Sequence, residues 1–102
     1  MKIVKTQSRW KLYKHGFPVA LRFDNYNEAR NSNVENWCKE HLGQEVWMWE
    51  GNWHKKGSWA TQWGKSTNAG RPYFVGFRDP GIITTLVLTL GLPVEKSANI
   101  FG

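Results

Sequence analysis

The sequence predicts an α+β domain: a small antiparallel sheet with two helices packed on one face, in the order β(β)-α-β-β-β-α. Three observations point there. Short runs such as Phe17 to Phe23 and Tyr73 to Phe77 alternate with the period of a strand that buries one face. Two longer segments, Asn27 to Leu42 and Ile82 to Leu90, place apolar residues at helical spacing and are each followed by a glycine. Strand signals succeed one another with only short polar connections, and an antiparallel sheet with its helices on one side accommodates that order. At 102 residues the chain is a single domain, with residues 1–8 and 93–102 expected to be the less ordered ends.

In chain order, Trp10-Lys11-Leu12-Tyr13 alternates weakly, so 9–13 is read as the first arm of a hairpin whose turn is His15-Gly16. The second arm is 17–23, with Phe17, Val19, Leu21 and Phe23 on one face and Pro18 suited to an edge or first-residue position. In the first helix Val34, Trp37, Cys38, His41 and Leu42 share a stripe, and Asn25 with Glu28 has capping-box spacing. Asn31, Ser32 and Asn33 are poor helix formers, so its first turns are expected to fray or give way to a loop. Glu45 to Glu50 is a strand by alternation and aromatic content. There Val46 and Met48 are expected to face the helices, leaving Trp47 and Trp49 on the open side. Gly51-Asn52 turns the chain, Trp53 opens a return strand and His54 to Gly57 forms a basic turn. Ser58 to Trp63 is a further short strand, and Gly64 to Gly70 a polar loop before the strand Tyr73 to Phe77. Asp79-Pro80 reads as an N-cap followed by proline at the first helical position. Ile82, Ile83, Leu86, Val87 and Leu90 then fit a helix, although the crowding of Ile, Thr and Val also fits a strand. The expected core is Leu21, Phe23, Val34, Trp37, Leu42, Val75, Phe77, Leu86 and Leu90.

Composition excludes several classes. Apolar residues are 40% and charged residues 22%, which fits neither a disordered chain nor a membrane span. The longest apolar stretch, Ile82 to Leu90, has about half the length a bilayer requires. No apolar run of signal-peptide length follows the basic N-terminus, so a cytoplasmic location with no membrane partner is expected. One cysteine cannot form an intrachain disulfide. The net charge of +6 is unevenly distributed. Lys2, Lys5, Arg9, Lys11, Lys14 and Arg22 stand in a segment without acids; an acidic middle from Asp24 to Glu50 follows, and Lys55, Lys56, Lys65, Arg71 and Arg78 form a second basic stretch.

No catalytic constellation is legible. Gly64-Lys65-Ser66-Thr67 echoes a phosphate loop, but Trp59 stands where that loop needs its first glycine, and Asn68 to Pro72 continues as loop rather than helix. Cys38 and His41 have metal-ligand spacing, yet a tetrahedral zinc site needs a second close pair, so no metal and no cofactor are expected. Cys38 lies on the apolar stripe and reads as a small buried thiol. A cleft joining it, or a histidine, to a carboxylate would be the mark of an enzyme.

The seven tryptophans carry the most information. Trp47, Trp49, Trp53, Trp59 and Trp63 interleave with Lys55, Lys56 and Lys65, and a small domain needs some of these rings to fill its interior. Those left outside, beside lysines, suit stacking on unpaired bases or anchoring a protein interface. Sugar rings are a third option, but sugar sites favour nearby acids and amides, which this stretch lacks. The candidate binding residues are Trp47, Trp49, Trp53, Trp59, Lys55, Lys56, Arg71 and Arg78.

The strand Phe17 to Phe23, the helix around Val34-Glu35-Asn36-Trp37, and Phe74-Val75-Gly76-Phe77-Arg78-Asp79-Pro80 before an apolar helix with Leu86 and Leu88 resemble small uncharacterised proteins of tailed bacteriophages. The resemblance covers about half the chain and brings no known activity or site residues. It implies a bacterial host cytoplasm or a virion as location. The expectation is a non-catalytic, basic, Trp-rich binding module engaging a host macromolecule, either a protein with an acidic surface or nucleic acid. The alternative is a virion or assembly component that forms a homo-oligomer.

Overall fold

The structure is a computed structural model that describes residues 1–48, 57–68 and 70–93. Its elements are β1 (Lys2–Lys5), α1 (Lys11–Lys14), β2 (Val19–Phe23), α2 (Tyr26–Asn31), α3 (Val34–Leu42), β3 (Trp59–Trp63), β4 (Tyr73–Phe77) and α4 (Pro80–Leu90). The strands form one antiparallel sheet in the order β1-β2-β4-β3. The α+β fold with a small antiparallel sheet is therefore the architecture of this chain.

Strand alternation sorts the side chains into two buried layers. Val19, Leu21 and Phe23 pair with Phe77, Val75 and Tyr73, which pair in turn with Trp59, Thr61 and Trp63. On this face Ala29 of α2, Val34 and Cys38 of α3, and Ile83 and Leu86 of α4 complete the main core. The opposite face carries a row of small side chains, Ala20, Gly76 and Ala60, with Val4 of β1 at its end. Leu12 of α1 packs there with Phe17, Val46 and Phe74. Gly76 is required by close approach: a Cβ at that position would stand 2.6 Å from Leu12 Cδ2.

Local chemistry accounts for the helix ends. Asn25 caps α2 by accepting from the Glu28 backbone N–H. The Ser32 hydroxyl donates to the Ala29 carbonyl and accepts from Val34 N–H, while Asn33 adopts a left-handed φ of 63°. This is why the single helix expected over 27–42 is two, α2 and α3. At α4, Asp79 accepts from Gly81 N–H, Pro80 occupies the first turn and Gly91 closes the helix in the left-handed region. Satisfied ends outweigh the β-branched content, so 82–90 is helix.

Several expectations are corrected. The segment read as a first hairpin arm at 9–13 runs into α1 instead, because the Leu12 N–H is capped by Gln62 Oε1 and Leu12 enters the second core. The strand partner of β2 is instead β1, inside the stretch expected to be less ordered; Thr6 fixes its end through its hydroxyl to Phe17 O and its N–H to Pro18 O. Residues 45–48 are not strand: Val46 N–H donates to Trp59 O and no ladder follows among the described residues. The alternation nevertheless holds, with Val46 buried, Met48 half-buried and Trp47 exposed. The side they face is the α1 layer, not the layer of α2, α3 and α4. Helices thus cover both faces, α2, α3 and α4 on one where a pair was expected, and α1 on the other. Of the expected core, Trp37, Leu42 and Leu90 are half-buried at its rim and the rest are buried. The turn and return strand expected over 49–56, and the tail beyond Pro93, lie outside the described residues. No described helix is long and apolar enough to cross a membrane.

Gly76→Ala should lower stability by about 1–3 kcal/mol by overpacking against Leu12. Adding Leu12→Val should recover part of that loss, visible as positive coupling in a urea-denaturation double-mutant cycle.

Candidate functional site

The sheet separates charge. Lys2 and Arg22 are register partners and project on the α1 side, where Arg9, Lys11 and Lys14 are exposed. Lys5, the register partner of Val19, is exposed on the edge strand and projects to the opposite face. The acids Glu28, Glu35, Glu40 and Glu45 belong to α2, α3 and the segment after α3, on the other side. Asp24 pairs with Arg22 at 3.0 Å; an exposed pair of this kind contributes about 0–1 kcal/mol. One outer layer is therefore cationic, while the other carries these acids together with Lys5, Arg30 and Lys39.

At the end of the sheet where β3 stops and β4 begins, an aromatic cluster forms. Trp63 meets Tyr73 edge-on at 4.8 Å between ring centroids, and Tyr26 lies 5.4 Å from Trp63 and 5.1 Å from Tyr73. Such pairs add about 0.5–1.5 kcal/mol beyond burial. Tyr73 is buried and anchors the cluster by donating its hydroxyl to Glu35 Oε1 at 2.5 Å. Burial, reinforced by that carboxylate, raises the Tyr73 pKa, so the phenol stays protonated. Trp63 and Tyr26 remain 44% and 40% exposed. Arg71 lays its guanidinium 5.0 Å from the Trp63 ring centre and donates Nε–H to Gly64 O at 3.1 Å. The loop between is closed by reciprocal backbone bonds between Thr67 and Gly70.

The expected binding residues separate on this frame. Trp47 is 62% exposed, beside Lys39, Gln44 and Glu45. Arg71 is exposed on the aromatic cluster. Trp59 is not a surface ring: it is fully buried, and its indole N–H donates to Gly43 O at 2.9 Å. Its place opposite Phe77 in the register puts it in the main core. Arg78 is not an open cation either. Its guanidinium covers the Phe17 ring at 4.2 Å and donates to the carbonyls of Gly57 and His15, tying the end of β4 to the α1 turn. Trp49, Trp53, Lys55 and Lys56 lie outside the described residues. Sequence reasoning names Trp63 among the clustered tryptophans but not among the candidate binding residues, and it does not single out Tyr26. The available signal was position: Trp63 shares a face with Trp59 but ends its strand, and Tyr26 follows the cap residue Asn25.

Burial, with Glu35 nearby, pushes the Cys38 thiol up to about 12, so it is neutral and inert at physiological pH. Among the described residues no group of His, Cys, Asp and Glu is arranged to hold a metal ion. Comparison with known protein families, curated proteins and solved structures finds no match to this chain.

His15 lies in the turn under Arg78. Burial first, then the Arg78 and Lys11 cations, lower its pKa. The unfolded chain takes up this proton near pH 6.5, at about the ordinary value, and the folded chain only below it. His15 therefore contributes its stability fully above about pH 6.5, and that contribution is lost as pH falls through the folded value. His15→Gln should lose less stability than the wild type between pH 7 and about pH 5, measured as the shift in urea midpoint.

Proposed function

We propose that this chain is a non-catalytic binding module that engages an anionic macromolecule through its α1-side face. The observation that carries the reading is the segregation of charge across the sheet. Arg9, Lys11 and Lys14 are exposed on one layer, with Lys2 and Arg22 projecting to the same side, while the acids α2 and α3 carry sit on the other. A cationic layer with its acids turned away attracts polyanions and orients them on approach. On the bacteriophage resemblance, the partner is a host component and the place of action the host cytoplasm.

A second reading is favoured by α4. No ionisable side chain occurs from Pro80 to Pro93, and Thr84, Thr85, Leu88 and Thr89 are exposed, Leu88 at 77%. An uncharged outer face is the kind of surface an assembly component offers to its own copies. A monomer by sedimentation at high protein concentration would set this reading aside.

Binding to heparin and to nucleic acid should weaken with salt, with a log–log slope near minus one per phosphate neutralised in the latter case. Arg9→Glu with Lys14→Glu should reduce both affinity and slope without changing the melting midpoint. A protein that retains neither ligand at low salt, or binds with no salt dependence, would overturn the reading.

A further inference from the structure

We infer that the corner formed by Trp63, Tyr26 and Arg71 is a stacking site for an unpaired base of single-stranded nucleic acid. The inference rests on the polyanion reading and names the partner class.

Two aromatic rings from different elements are held side by side and left 40–44% open. Their anchor is rigid: Tyr73 is buried beneath them and its hydroxyl is held by Glu35. A prearranged ring pair is what a base needs in order to stack, because every base has a π-face and no hydrogen-bond code is required. The cations are placed for the phosphate. Arg71 uses Nε on Gly64 O and stacks on Trp63, while its terminal amino groups make no hydrogen bond among the described residues. Lys65 is exposed in the same loop. Gly70 runs along the Asp24 backbone, where a Cβ would stand 3.7 Å from the carbonyl oxygen, so the loop is seated against the end of β2.

A sugar fits this corner less well. Sugar hydroxyls need free carboxylates, and the nearest ones are already engaged: Glu35 by Tyr73, Glu45 by Thr61, and Asp24 by Arg22. An acidic peptide would use the cations but would leave the rings without a matching group.

The test compares the full chain against three probes: a labelled oligothymidylate of about 12 nucleotides, the matching duplex, and polyglutamate of the same charge as the single strand. The oligothymidylate should bind most tightly. Trp63→Ala should weaken it about tenfold or more, the loss expected for one stacked base, while duplex binding stays within about twofold. Trp63→Phe should restore most of the loss. Lys65→Glu, at an exposed loop position, gives a second variant that does not touch the cluster and should also weaken the oligothymidylate. Equal affinity of wild type and Trp63→Ala, with both variants folded by circular dichroism, would overturn the stacking site and leave the cationic face standing. Preference for polyglutamate would assign the face to an acidic protein and also overturn the stacking site. Failure to bind any of the three would overturn both readings.

Discussion

The structure depends on the burial of β4 on both faces. All of its residues, Tyr73 to Phe77, are buried, and it lies between β2 and β3. A strand covered on both sides cannot alternate apolar with polar; it must alternate two kinds of apolar contact. The large residues Tyr73, Val75 and Phe77 meet α3 and α4. The other parity is Phe74 and Gly76, and the glycine is what allows the short helix α1 to approach so closely that Leu12 fills the space of a side chain. Ala20 and Ala60 extend the same shallow row on either side. A three-layer domain of this length therefore rests on small residues in one register row as much as on large ones in the next.

Covering both faces also decides where charge can go. The second basic stretch of the sequence does not act as a unit. Arg78 spends its guanidinium on Phe17 and on the carbonyls of Gly57 and His15, binding the α1 layer to the end of β4. Hydrogen bonds to a charged group are stronger than neutral ones, and this one joins segments far apart in the chain. Arg71, seven residues earlier, meets no such carbonyl pair and stays on the surface against Trp63. Two arginines of equal promise in the sequence thus have opposite fates, set by which carbonyls the fold leaves bare.

Much of the fold was legible. The strands at 17–23 and 73–77, the capped and glycine-terminated helix after Asp79, and the weakness at Asn31-Ser32-Asn33 were written in local chemistry that the structure uses directly. What was not legible depends on tertiary partners. α1 is too short for periodicity to reveal it, and it exists because Gln62 caps it and the small row receives Leu12. β1 has too few residues to alternate convincingly and is defined by pairing with β2. At 45–48 the alternation correctly separates Val46 and Met48 from Trp47, yet a single bond to Trp59 O does not make a strand. Period reports which side chains are buried; it does not report whether a neighbour supplies the ladder.

The same limit applies to the tryptophans. Trp59 and Trp63 belong to one strand and face the same way, so neither residue type nor parity distinguishes them. What distinguishes them is position along the strand. Opposite Phe77, Trp59 is fully buried in the main core with its indole N–H on Gly43 O; opposite Tyr73, Trp63 lies at the rim against Tyr26 and is nearly half exposed. A ring at that boundary is held rigidly from below and open from above. This is the arrangement in which an aromatic side chain binds a flat partner at little cost in side-chain entropy. The candidate site of this domain lies at the rim of the core, where Tyr73 ends the buried layer and Trp63 and Tyr26 begin the surface.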